Sequence, residues 1–196
     1  ADIAGTHLFD EQTKEYNVPF MDIYELKGKA VLIRGYVRLQ GFIVEKGNPL
    51  GISGFEDLLK PNIRFINRNK GSGTRALIDM KLRELAFLKN VSFQELINMI
   101  RGYYTEAKTH SGVAAAIAQG RADVGVAIKS VADAYDLDFI PIGEEFYDFL
   151  IPIDRLEKTS VKKFINTLKS QEFANELQKR LSGYKVHKDT GQIISK

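Results

Sequence analysis

Residues 30–45 read AVLIRGYVRLQGFIVE, a run dense in Val, Ile, Leu, Tyr and Phe. β-Branched and aromatic side chains suit a pleated, half-buried backbone, so the run predicts a long strand. Gly47-Asn48-Pro49 follows and breaks it. Two further extended segments, 139–142 and 146–153, lie late in the chain, and 139–153 together makes the second candidate crossing stretch. Roughly 90 residues separate the two regions, enough for one small lobe. The chain therefore predicts two α/β lobes joined by these extended stretches. Residues 1–40 with 148–196 form the first lobe, and 41–147 form the second. A cleft between lobes is a favoured ligand site, and it is the expected one here.

Within the inserted region, short β-rich runs alternate with helical patterns, the mark of an α/β fold. A short helix at 55–59 is stopped by Pro61, and a buried strand is expected at 63–66. A polar turn at 67–73 leads into a helix over 74–88, where Leu77, Ile78, Leu82, Leu85 and Phe87 recur near helical spacing. A helix at 93–100 and a strand at 103–106 come next. An Ala-rich helix at 109–119 is closed by Gly120 in the position of a C-terminal cap. A strand at 122–128 and a helix at 130–135 complete the region. In the tail, Val161, Phe164, Ile165 and Leu168 share one helix face, as do Phe173, Leu177 and Leu181. Each of those helices buries one side and turns lysines outward.

Composition narrows the classes of function. The 196 residues are 44% hydrophobic and 27% charged, ordinary for a globular protein. No apolar run approaches the roughly 20 residues that cross a bilayer, so no membrane span is expected. The opening ADIAGTH has neither a basic nor an apolar signal region, which points to the cytoplasm unless a signal has been removed. The absence of cysteine excludes thiolate zinc sites and thiol nucleophiles. His7, His110 and His187 match no short metal-ligand spacing, so neither a metal nor a cofactor is expected. The tail from Asp154 onward carries ten Lys or Arg against five Asp or Glu, leaving the preceding body slightly acidic. Contact with nucleic acid is accordingly not expected.

The sharpest chemical signal is NRNKGSGTR at 67–75, between a predicted strand and a predicted helix. Unpaired amides and the positive end of the macrodipole make a helix start an anion site. There Asn67, Ser72, Gly73 and Thr74 offer neutral donors and close backbone approach, and Arg75 offers charge. Spacing alone supports plain N-capping equally well. Thr109, His110 and Ser111 repeat the logic at a second helix start, and Thr6 and His7, with Tyr16-Asn17, form a third cluster. For His7 and His110 taken singly, a structural role is favoured. Gly71 to Ala76 also fits G-x-G-x-x-A, but without the βαβ context that gives that pattern meaning. No nucleophile elbow occurs, and Glu144-Glu145 on a strand would point to opposite faces, so no catalytic residues are expected.

DIAGTHL at 2–8 with Tyr16-Asn17, Asn67-Arg68 leading to GSGTR at 71–75, and Thr109-His110 running to GRADVG at 120–125 occur in order. LDFIP at 137–141, GEEFY at 143–147 and the tail from Gly183-Tyr184 to Thr190-Gly191 follow. Together they resemble, over essentially the whole chain, the periplasmic-binding-protein-like domain related to molybdate-binding proteins. The resemblance implies a type II binding-protein fold and non-catalytic binding or sensing of a small oxyanion, molybdate or tungstate. The alternatives it implies are the C-terminal module of a molybdenum-cofactor biosynthesis enzyme and the sensing module of a transcriptional regulator, each with a fused upstream domain. The expected ligand-binding set is Thr6, His7, Asn67, Ser72, Gly73, Thr74, Arg75, Thr109, His110 and Ser111. Members of that family carry about one further βαβ segment ahead of the opening motif, so the first lobe is expected to be truncated at its N-terminus. Exposed sheet surface there predicts self-association into a homo-oligomer.

Overall fold

The computed structural model describes residues 1–196. In chain order the elements are β1 (Ala4–Thr6), β2 (Phe9–Asp10), β3 (Glu15–Tyr16), α1 (Val18–Ile23) and β4 (Ala30–Val44). A 3-10 turn (Phe55–Leu59) precedes β5 (Phe65–Arg68), α2 (Gly73–Leu88), α3 (Phe93–Met99), β6 (Glu106–Ala107) and α4 (His110–Ala118). Then come β7 (Val124–Ile128), α5 (Lys129–Ala134), β8 (Asp138–Pro152), a second 3-10 turn (Ile153–Arg155), α6 (Thr159–Leu168), α7 (Gln171–Arg180), β9 (Tyr184–Val186) and β10 (Ile193–Ser195). None of the helices is long and apolar enough to cross a membrane. The chain divides into two compact units, residues 1–39 with 144–196 and residues 40–143. On β8 this boundary falls earlier than the sequence pattern suggests.

In the first unit, β1 lies antiparallel on β8, with Gly5 opposite Phe149, while β9 and β10 pair antiparallel with β4. Val31 and Ile33 of β4 and Ile151 of β8 pack against Val161 and Leu168 of α6. The amphipathic pattern read from the tail is what closes this core.

In the second unit the strands run in the order β4-β7-β5-β6. β4 is antiparallel to β7, whereas β7, β5 and β6 are mutually parallel. Alternation splits the side chains between two layers. Phe42, Val44, Phe65, Val124 and Val126 face Ile78 and Leu82 of α2 and Leu96 of α3. Ile43, Ile66 and Ala127 face Val113, Ala114 and Ile117 of α4. A sheet buried on both faces calls for the nearly continuous apolar runs that β5 and β7 display.

Three local expectations shift. The two late segments are one strand, because the carboxylates of Glu144 and Glu145 find cationic partners beside the strand, Lys185 and Arg38. The strand expected at 63–66 starts later and continues through Asn67 and Arg68, which pair in parallel with Glu106 and Ala107. Tyr103 belongs to a turn rather than to a strand; Gly102 with φ +96° bends the chain there, and the Tyr103 phenol donates to Asp79 at 2.8 Å.

Candidate functional site

Both β5 and β6 end at the same edge of the second unit's sheet, and each is followed directly by a helix, α2 after β5 and α4 after β6. In a parallel arrangement this carboxyl edge gathers helix N-termini, the usual place for a ligand. Ser72 caps α2 with extended backbone, its hydroxyl accepting from the Arg75 amide at 3.2 Å. Thr109 caps α4 likewise, accepting from the Gly112 amide at 2.9 Å. The two loops are tied by the Asn69 amide donating to Ala107 O at 3.1 Å. Arg68 reinforces the tie: its Nε donates to Ala107 O and its Nη2 to Lys108 O, both at 3.3 Å. Its Nη1 lies 3.0 Å from Nδ1 of His110.

The residues marked out in the sequence thus fall into two groups. Asn67, Ser72, Gly73, Thr74, Arg75, Thr109, His110 and Ser111 share the second unit, and Thr6 and His7 belong to the first. Several have internal partners. Asn67 is fully buried, donates to Tyr103 O at 3.0 Å and accepts from the Arg68 amide at 2.9 Å. Arg75 does not present free charge at the helix start, as the sequence suggested. Its Nε bonds Asp79 at 2.9 Å, its Nη1 bonds Glu106 at 2.8 Å and Arg68 O at 3.0 Å, and its guanidinium lies over the Tyr103 ring. Two carboxylates neutralise it.

What remains at the α2 start is neutral. Gly73 and Thr74 precede any helical i−4 acceptor, so their amides are available by position. Thr74 is fully buried and its Oγ1 has no hydrogen-bond partner, and Asn69 Oδ1 is likewise unpartnered. Burying a hydroxyl without a partner is costly, and most native structures avoid it.

The Tyr103 phenol is pushed up to about 12, first by burial, with Arg75 opposing and Asp79 adding to the rise. In the first unit burial likewise pushes Tyr36 up to about 12. An ultraviolet absorbance titration should therefore show phenolate forming in a late wave near pH 12, well above the ordinary value of about 10. Replacing Tyr36 or Tyr103 by Phe should shrink that late wave and leave the earlier one intact. Loss from the earlier wave would contradict the packing described.

The first unit holds a second polar cluster, of which the sequence motifs mark Thr6, His7 and Asn17 but not Arg34, Arg38 or Asp148. Thr6 Oγ1 donates to Asn17 Oδ1 at 3.1 Å, and Asn17 Nδ2 donates to Asp148 at 2.8 Å. Asp148 also accepts from the Gly35 amide and from Arg34, both at 3.1 Å. Burial raises its carboxyl above the usual range, and Arg34 opposes that rise. Nearby, Arg38 binds Glu145 through Nε at 2.8 Å and through Nη2, and lies 4.8 Å over the Tyr147 ring. His7 stacks on Tyr147, its Nδ1 approaching Glu145 Oε1 to 2.9 Å without hydrogen-bonding geometry. Every charge here has an internal counter-charge, so the cluster serves to lock β1 and β4 onto β8. For Arg34, Arg38 and Asp148 the sequence signal is the placing of charged residues among apolar ones on the two long strands.

Comparison with known proteins agrees with this architecture. A family described as a PBP superfamily domain matches residues 1–169. YvgK of Bacillus subtilis (strain 168), an uncharacterised protein, is 34% identical over 195 residues. That match takes in 98% of this chain but only 59% of the relative's length. The crystal structure of PEB3 bound to L-phospholactate superposes with a TM-score of 0.64 at 21% identity, covering 95% of this chain and 80% of that one. The sulfate-binding protein SubI of Mycobacterium tuberculosis H37Rv does so with a TM-score of 0.58 at 15% identity, covering 77% and 57%. At these identities the likeness to solved structures is one of fold.

Proposed function

Since this chain belongs to the PBP superfamily, we propose that it binds a small oxyanion without catalysing its conversion, and that the N-terminus of α2 is the principal contact. The observation that carries the reading is the fully buried, unpartnered hydroxyl of Thr74 in the first turn of that helix. An anion seated there would accept from Thr74 and from the first-turn amides, in the positive field of the helix end. Neutral donors suit a desolvated anion because they add no enclosed counter-charge, and Arg75 is already neutralised by Asp79 and Glu106. Thr109, His110 and Ser111, tied to the same edge through Arg68, are the second set of contacts. Sulfate and L-phospholactate, named for two structural relatives, are both oxyanions.

Molybdate or tungstate is the finer assignment, and its support is the motif resemblance over the chain. Calorimetric titration of the chain with molybdate, tungstate and sulfate tests both levels. Micromolar binding of at least one is expected, and the joint variant Ser72→Ala, Thr74→Ala should lose about tenfold or more, the scale of one or two buried hydrogen bonds to a charged group. A variant that binds as well as the parent chain would refute the site. Sulfate outcompeting both metal oxyanions would refute the finer assignment alone.

A further inference from the structure

Gln40 is fully buried on β4, and neither polar atom of its amide has a partner. An apolar side chain of similar shape would fill the same space without stranding a donor and an acceptor. The amide therefore calls for an explanation outside packing.

Its position supplies one. Gln40 pairs with Ile128, the last residue of β7. β7 runs parallel to β5, so Ile128 sits at the carboxyl edge where β5 hands over to α2. Phe42 and Val44 follow Gln40 at alternate positions and pack in one core with Ile78 and Leu82 of α2. Strand alternation thus puts Gln40 on the face that α2 covers. On α2, Thr74 precedes Ile78 by one turn, on the same side of the helix. Two buried, unpartnered polar side chains from separate elements occupy the same face and the same end of the sheet.

We propose that Gln40 is a ligand-contacting, specificity-determining residue of the oxyanion site, its Nε2 donating to a ligand oxygen opposite the helix start. This rests on the oxyanion reading of the α2 N-terminus. The amide gives a bare oxygen a donor, and its Oε1 gives a proton-bearing oxygen an acceptor. Glutamate in the same shape offers acceptors and a negative charge, and so rejects a bare anion. It accepts one that carries a proton.

The experiment uses the full chain, Gln40→Leu, Gln40→Glu and Thr74→Ala. Each is melted without ligand and titrated with molybdate, sulfate and inorganic phosphate at mildly acidic pH, where phosphate carries protons. Gln40→Leu should melt higher than the parent by about 2–4 °C, because it removes two stranded polar atoms. It should also bind all three anions about tenfold more weakly. Gln40→Glu should lose molybdate and sulfate by about tenfold more than it loses phosphate. A lower melting point for Gln40→Leu would make Gln40 a packing residue and overturn the proposal. So would parent-like binding by both Gln40 variants while Thr74→Ala binds weakly, and that result would leave the oxyanion reading standing. A parent chain that binds none of the three anions would overturn that reading and this one with it.

Discussion

Glu145→Ala is expected to destabilise the protein by about 3–5 kcal/mol, the usual cost of removing one member of a buried ion pair. Glu145 is fully buried and Arg38 nearly so. The carboxylate accepts from Arg38 Nε at 2.8 Å and from Nη2, and the guanidinium lies over the face of Tyr147 at 4.8 Å. Tyr147 is in turn stacked on Tyr36 at 5.2 Å with nearly parallel rings. Removing the carboxylate leaves the arginine charge desolvated and unanswered. Urea unfolding should show a much lower midpoint for Glu145→Ala and almost none of that loss for Glu144→Ala, whose partner Lys185 is exposed with it. The double variant Glu145→Leu, Arg38→Met should recover most of the loss, because both charges leave together. A single-variant cost below about 1 kcal/mol would mean that water reaches the pair.

Legibility from sequence follows the range of the interactions involved. The long strand at 30–45 was readable because fifteen consecutive residues of β4 are paired or packed along their whole length, and the composition reflects it. The helix beginning at Ser72 was readable for a local reason: its cap, glycines and apolar spacing all lie within a few residues. The extent of β8 was readable as the stretch 139–153, but its middle was not, because its polar residues rest on distant partners. Glu144 and Glu145 are placed on opposite faces by alternation alone, but their partners Lys185 and Arg38 are distant in sequence. Arg75 likewise has partners that its position in the sequence does not reveal. Its position suggests a ligand for an anion, while its charge is spent on Asp79 one turn later and on Glu106 across the sheet edge. Gln40 was invisible as a site residue, because nothing in AVLIRGYVRLQGFIVE distinguishes a polar side chain facing solvent from one sealed under a helix. A capped helix start is a local event, whereas the shared sheet face of Gln40 and Thr74 joins elements far apart in the chain.

Gly102→Ala is the second substitution with a large expected effect, about 2–6 kcal/mol from two separable sources. Gly102 has φ +96°, a backbone conformation that costs an L-residue about 1–3 kcal/mol. A Cβ built there would also lie 2.1 Å from Phe65 O, a backbone atom of β5 that cannot turn aside. Overpacking of this kind costs about 1–3 kcal/mol more. Gly28→Ala isolates the first source, since Gly28 has φ +73° and nothing within 4 Å of the added atom. The difference between the two variants in urea unfolding is then the steric contribution of the contact with β5. That contact matters for the oxyanion site as well as for stability. The Phe65 amide donates to Arg101 O and the Asn67 amide to Thr105 O, so the segment around Gly102 is laid along β5 on both sides of the clash. Next to Gly102, Tyr103 accepts from Asn67 Nδ2 through its carbonyl and donates its phenol proton to Asp79, the partner of Arg75. Pushing residue 102 off the strand therefore displaces the groups that fix Arg75 in the first turn of α2. Oxyanion affinity should fall in Gly102→Ala even at temperatures where the variant is fully folded, and should be unchanged in Gly28→Ala. Equal affinities in the two folded variants would mean that the α2 start is held independently of the segment beside β5.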